Sequence, residues 1–87
     1  METLPKELFL LKKLKLLNLD YNLIKEVPSD INKLQLLDAL DLSFNPIEKL
    51  PKEIGSLSNL RMLVIKGITR IERFDDVKNQ ALYNRYP

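Results

Sequence analysis

The chain repeats itself every 23 residues, and this period constrains its fold more than any other feature. Leu14, Leu37 and Leu60 are spaced by 23 residues. The same spacing relates four further sets of positions: Leu17, Leu40 and Leu63; Leu19, Leu42 and Ile65; Asn22 and Asn45; and Pro5, Pro28 and Pro51. A fixed period of this length indicates a solenoid, in which each repeat packs mainly against its neighbours.

Each repeat contains a segment that predicts a short β-strand. In LKLLNLDYN, residues 14–22, Leu17 and Leu19 alternate with Asn18 and Asp20. Successive side chains on a strand point to opposite faces, so both leucines lie on one face. A single strand cannot bury that face. Copies stacked at about 4.8 Å bury a continuous ladder of leucines between them.

Asn22 and Asn45 follow the predicted strands at the points where the chain turns inward. Backbone N–H and C=O groups lose water at such a turn and need partners. An amide side chain can donate and accept at once, so stacked asparagines can satisfy neighbouring turns. We therefore interpret Asn22 and Asn45 as a structural asparagine ladder rather than as ligands.

The repeat reads L-x-x-L-x-L-x-x-N-x-I followed by an aliphatic–Pro pair. It is carried by Leu14, Leu17, Leu19, Asn22 and Ile24, by Leu37, Leu40, Leu42, Asn45 and Ile47, and by Leu60, Leu63 and Ile65. Across residues 4–65 the chain resembles the leucine-rich repeat family, in the 23-residue LPxxIxxL variety of Ras-suppressor-like and bacterial leucine-rich repeat proteins. The resemblance implies an α/β solenoid: a short right-handed horseshoe arc with a parallel concave sheet of about three strands. It also implies a role in protein recognition.

The period divides residues 1–87 into one domain with five parts. These are a partial repeat (4–13), two full repeats (14–36 and 37–59), a degenerate last repeat (60–75) and a C-terminal helical cap (76–87). Short helical or 3₁₀ turns are expected on the convex side. Pro5 at a first helical position predicts a helix over about 5–13. Phe74, Val77 and Ala81 have helical spacing and predict a closing helix over about 76–84.

Composition excludes several classes of protein. The 14 basic and 12 acidic residues give no electrostatic footprint for nucleic acid. No apolar run reaches the roughly 20 residues needed to span a bilayer, and METLPKEL is no secretory signal. With cysteine absent, we expect a cytoplasmic protein. Pro28, Pro46 and Pro51 interrupt any long amphipathic helix or coiled coil.

The sequence offers little for catalysis or metal binding. His and Cys are both missing, which removes the usual general base, the thiol nucleophile and the common zinc ligands. Asp20, Asp38 and Asp41 are the remaining candidates for a hard cation, but they fall in three different rows of the predicted sheet. We expect no catalytic residue, no metal and no cofactor.

Function is expected on the concave face, where the residues between the core leucines point outward. By phase they form three rows: Leu16, Ala39 and Met62; Asn18, Asp41 and Val64; and Asp20, Ser43 and Lys66. These nine residues, with Tyr21 and Phe44, are the predicted partner-binding set. An apolar stripe bordered by polar residues often marks a protein contact, and Met adapts to irregular partners. The alternative is that a small protein simply leaves some leucines exposed.

Two rows flank this face. One rim carries Lys15, Asp38 and Arg61, which alternate in charge and can pair with one another. The other rim carries Tyr21, Phe44 and Gly67, which occupy equivalent positions of successive repeats. The two aromatic residues could anchor a partner. Equally, the resemblance implies aromatic residues that pack over their own turns.

Phe9 and Leu10 are apolar where later repeats have Asn32 and Lys33. They either cover the open end of the leucine ladder or contact a second chain. The second possibility, with the open edge of the first strand, gives an alternative function. In it the protein is a self-associating structural element, a possible homodimer that completes a longer solenoid.

Overall fold

The computed structural model describes residues 1–68, in which three short strands alternate with three 3₁₀ helices. The strands are β1 (Leu16–Asn18), β2 (Ala39–Asp41) and β3 (Met62–Val64). They form one parallel sheet in the order β1-β2-β3. This confirms the predicted parallel sheet of about three strands joined by short 3₁₀ turns.

The register of the sheet follows the 23-residue period. Leu17 lies opposite Leu40, which lies opposite Leu63, so the core leucines of the three repeats stack in one row. Parallel strands joined through an outer segment place equivalent residues side by side, because each repeat travels the same path. The sequence period therefore fixes which side chains are neighbours across the sheet.

The core lies between the sheet and the 3₁₀ helices. Leu40, Leu42 and Ile47 of the middle repeat are completely buried, as are Ile31 and Leu34 in the turn before it. The other buried apolar residues are Phe9, Leu17, Leu19, Ile24, Val27, Leu37, Leu50, Ile54, Leu57, Leu60, Leu63 and Ile65. One apolar cluster therefore runs through all the described repeats.

The 3₁₀ helices span Lys6–Leu10, Ser29–Lys33 and Lys52–Ser56, each directly after a proline. Pro5 is extended (φ −66°, ψ 144°), and its C=O accepts from the Leu8 N–H at 3.1 Å. The prediction of a helix over about 5–13 is wrong in its length, because the 3₁₀ helix ends at Leu10. It is also wrong in placing Pro5 inside the helix, because Pro5 precedes it. A 3₁₀ helix rises about 2.0 Å per residue, so five residues reach across the outer side of a short repeat before the chain returns to the sheet.

The predicted closing helix over about 76–84 lies outside the described residues, as do residues 69–75 of the degenerate repeat at 60–75 and the whole cap at 76–87. Within residues 1–68, no helix is long and apolar enough to cross a membrane. The sheet and its neighbouring turns are therefore the part of the chain on which a site can be built.

Candidate functional site

The side of the sheet that faces away from the core, called the open face below, carries a row of apolar side chains. Leu16, Ala39 and Met62 are directly opposite one another on the three strands. Leu16 is 65% exposed and Met62 is 53% exposed, with the smaller Ala39 half-buried between them. The second row of the open face is Asn18, Asp41 and Val64. The structure thus brings together the six strand residues predicted for this face.

Two polar residues of the open face also turn the chain at the strand ends. The Asn18 Oδ1 atom accepts a hydrogen bond from the Asp20 N–H at 3.0 Å. The equivalent atom of the next repeat, Asp41 Oδ1, accepts from the Ser43 N–H at 2.9 Å. Short polar side chains commonly satisfy the backbone two residues later in this way. The repeat pattern predicts partner binding for these side chains and does not reveal their role in the turn.

Ser43 does not belong to the exposed surface. It is 3% exposed, and its Oγ accepts a hydrogen bond from the Lys66 N–H at 3.0 Å. The prediction that Ser43 contacts a partner is therefore wrong, because a small hydroxyl is buried there to satisfy the next repeat. Its row neighbours differ: Asp20 is half-buried and Lys66 is exposed.

Tyr21 and Phe44 stack on each other at one rim of the open face. Their ring centroids are 4.6 Å apart and the ring planes differ by 15°. Both residues have positive φ, 56° and 58°, and Gly67 at the equivalent position of the next repeat has φ 70°. All three repeats therefore leave the sheet through a left-handed residue. The aromatic rings pack across neighbouring turns and remain exposed at the surface.

Both the space around residue 67 and its backbone conformation require glycine at this position. A Cβ atom at this position would lie 2.5 Å from Cδ1 of the Phe44 ring. We expect Gly67→Ala to lower the free energy of unfolding by about 1 to 2 kcal/mol, because alanine strains a left-handed backbone and also displaces the ring. Urea denaturation of the variant and the wild type measures this change.

The matched control for Gly67→Ala is the same substitution in a Phe44→Ala background. Removing the ring relieves the steric part of the cost and leaves the backbone strain. The two substitutions should therefore be less damaging together than the sum of their separate effects. Strict additivity would contradict the contact between Phe44 and Gly67.

At the opposite rim, Arg61 and Asp38 form a two-point ion pair. Arg61 Nε lies 2.7 Å from Asp38 Oδ1, and Arg61 Nη2 lies 3.0 Å from Oδ2. The hydrogen bond from Arg61 is the main cause of a lowered pKa of Asp38; partial desolvation opposes it, and the positive charges of Arg61 and Lys15 lower the pKa further. The Asp38 carboxylate is already held by Arg61 of the neighbouring repeat, so it is less available to a partner.

The two asparagines bind backbone groups of neighbouring turns. Asn45 Nδ2 donates to the C=O groups of Leu19, Leu42 and Ser43 at 2.9, 2.9 and 3.2 Å, and its Oδ1 accepts from the Ile24 N–H at 3.1 Å. Asn22 Nδ2 donates to the C=O groups of Leu19 and Asp20, and its Oδ1 accepts from the N-terminal amine of Met1. Asn45 is buried, whereas Asn22 is half-buried. These contacts leave the asparagine amides engaged within the chain.

Phe9 and Leu10 have opposite environments. Phe9 is 3% exposed and belongs to the core cluster, whereas Leu10 is 72% exposed. The possibility that Phe9 contacts a second chain is therefore wrong, because its ring turns inward and packs at the end of the core. The sequence gives both residues the same apolar character, and only the path of the 3₁₀ helix separates them.

The structure also contains an open groove that the sequence does not predict. It has a volume of about 570 Å³ and lies between the N-terminal segment and the outer side of the first full repeat, lined by Glu2, Thr3, Leu4, Leu23, Lys25, Glu26 and Pro28. No repeat pattern signals it, because the groove depends on the path of residues 1–4. Among residues 1–68, no group of three or more acidic side chains is placed to hold a metal ion.

A comparison with protein families agrees with the repeat pattern. A protein-family model described as a leucine-rich repeat region matches residues 3–80. This range includes the partial first repeat and both full repeats. No curated protein matches the chain.

Proposed function

The chain belongs to the leucine-rich repeat family, and from this premise we propose that it is a protein-binding module whose open face receives another protein. Domains of this family generally mediate protein–protein interactions and are typically not enzymes. We also propose that the sheet is part of a short solenoid arc and that the open face is the concave side of this arc. The partner is a protein rather than a nucleic acid or a membrane.

One observation carries the proposal, namely the exposure of Leu16 and Met62 at the two ends of the same row, on either side of Ala39. Large apolar side chains clustered on a surface and bordered by polar residues are characteristic of interaction sites. The thioether chain of Met62 adapts to irregular partner surfaces. Ala39 between them leaves room for a side chain of the partner.

The residues around this row fit the border of such a site. Asp41 and Lys66 supply charges of both signs near the ends of the strands. Tyr21 and Phe44 present exposed aromatic edges at the adjoining rim. Aromatic residues next to an apolar centre are common anchors in protein interfaces. We propose that the partner contacts this rim as well as the apolar row.

The test combines partner selection with a paired substitution. Protein domains displayed on phage are selected on the wild-type chain, and their affinities are then measured by biolayer interferometry. Leu16→Asp with Met62→Asp should weaken binding by about a hundredfold, because two apolar contacts are replaced by charges that lose their water. Circular dichroism establishes that the variant keeps its secondary structure.

The matched control is Leu23→Asp with Leu36→Asp. These two leucines are also exposed but lie outside the open face. Binding to the control variant should equal binding to the wild type. Equal loss in both variants, or binding that survives the open-face substitutions, would place the site elsewhere on the chain.

A further inference from the structure

The end of the repeat array before β1 exposes leucines that later repeats bury. Leu11 is 53% exposed, whereas Leu34 and Leu57 at the same repeat position are 0% and 4% exposed. Leu14 is likewise half-buried, in contrast to the buried Leu37. We call Leu10, Leu11, Leu14 and the outer edge of β1 the first-repeat end. It is an apolar surface adjoining a sheet edge.

The outer edge of β1 presents backbone groups that the sheet does not use. The Lys15 C=O and the Leu19 N–H bond to β2. In a parallel ladder, alternate residues bond to the same neighbour, so the backbone groups of Leu16 and Asn18 point to the other side. Within residues 1–68, no strand pairs with that side. An open edge of this kind is a template for pairing with another strand.

The charges along this edge are arranged with opposite signs at its two ends. Lys13 and Lys15 precede β1, and Asp20 follows it. When a strand of this type pairs with its own copy in antiparallel orientation, the basic end of each strand lies beside the acidic end of the other. The edge is therefore complementary to itself, as a two-fold interface requires.

We propose that two copies of this chain associate through the first-repeat end, with their β1 strands antiparallel about a two-fold axis. In one register, the outward backbone groups of Leu16 and Asn18 all find partners. This register places Leu16 opposite Asn18 of the second copy and Leu17 opposite Leu17 of the second copy. Antiparallel partners of this kind exchange both of their backbone hydrogen bonds. The three described strands of each copy then join in one sheet, and the exposed Leu10 and Leu11 lie at the new interface.

Charge favours this two-fold arrangement over a head-to-tail one. If β3 of a second copy were placed beside β1 in the repeat register, Lys15 would lie next to Arg61 of that copy, a pair of like charges. A head-to-tail contact of this kind does not close on itself and continues into a filament. The antiparallel arrangement closes at two copies.

The experiment is light scattering on a sizing column over a hundredfold range of protein concentration. The mass should rise from the 10.2 kDa of one chain to twice that value and then stay constant. A wild-type mass that remains at one chain over the whole range would overturn the proposal. A mass that continues to grow beyond two chains would overturn it too, since it indicates an open assembly.

Two charge variants test the orientation. In Lys13→Glu with Lys15→Glu, both ends of the paired strands become acidic, and in Asp20→Lys both become basic. Each variant alone should dimerise at least about tenfold more weakly than the wild type. Mixed in equal amounts, the two variants should form a heterodimer, because both of its ends again carry opposite charges. Formation of this heterodimer also shows that each variant is folded.

Lys49→Glu with Lys52→Glu makes the same charge change away from the first-repeat end and serves as the control. Its dimerisation should match that of the wild type. A mixture of the two charge variants that stays monomeric would overturn the antiparallel geometry. The Lys13→Glu with Lys15→Glu variant separates dimerisation from partner binding, since Lys13 and Lys15 are outside the open face and both Leu16 and Met62 are unchanged.

Discussion

Asn45→Ala is expected to lower the free energy of unfolding by about 3 kcal/mol. The substitution removes the acceptor of the Ile24 N–H and the donor that three backbone C=O groups share. Asn45 is buried, so water does not readily replace these contacts. A buried backbone group left without a partner costs about 1 to 3 kcal/mol. Urea denaturation followed by circular dichroism measures the change.

Asn22→Ala is the matched control, because Asn22 occupies the same repeat position. Its amide donates to two C=O groups and accepts from the exposed N-terminal amine, and the residue is half-buried. Water can take over part of this bonding, so we expect a loss of about 1 kcal/mol. Equal losses at Asn22 and Asn45 would contradict the dependence on burial.

The repeat period was sufficient to predict the sheet and its register. Leu17, Leu40 and Leu63 share one phase, and a parallel ladder of equivalent strands puts one phase in one row. The same reasoning placed Leu16, Ala39 and Met62 together on the opposite side. Alternation within a strand is a local property of the backbone, so it can be deduced from the residues alone.

The sequence was a poorer guide where the chain leaves the strands. Ser43 belongs by phase to the same row as Lys66, yet Ser43 is buried and holds the Lys66 backbone. Alternation ends with the strand, since residues after it follow the turn. The close approach of the Phe44 ring to Gly67 depends on both backbones having positive φ, which the repeat pattern does not encode for an aromatic residue.

Phe9 and Leu10 show the same limit at the first-repeat end. Comparison with the equivalent positions of later repeats identifies both residues as unusual but does not say which one turns inward. That choice depends on the 3₁₀ helix, whose three-residue turn differs from the turn of an α-helix and rotates successive side chains differently. The consequence for function is that Leu10, and not Phe9, is available to a second chain.

The core row supports the open face directly, because the two sets of side chains alternate on the same strands. Leu40 lies between Ala39 and Asp41 of the open face and between Leu17 and Leu63 of the neighbouring strands. A change at Leu40 therefore acts on all three strands at once. This position links the stability of the ladder to the spacing of Leu16 and Met62.

Leu40→Ala is expected to lower the free energy of unfolding by about 2 to 5 kcal/mol, because the completely buried side chain leaves a cavity in the middle of the ladder. The control is Leu16→Ala, the same change on β1 at an exposed position, which should alter stability by less than about 0.5 kcal/mol. Chemical denaturation of both variants measures the difference. Comparable effects at the two positions would contradict the assignment of the core and open faces.

A domain of this size has a small total stability, so Leu40→Ala could remove most of the folded population. Leu40→Val deletes less of the side chain and is expected to cost about 1 kcal/mol, which keeps the variant folded and measurable. Because Leu40 contacts both neighbouring strands in the ladder, even this milder change should lower the affinity for an open-face partner. Affinity that is unchanged while stability falls would show that the open face keeps its geometry independently of the core row.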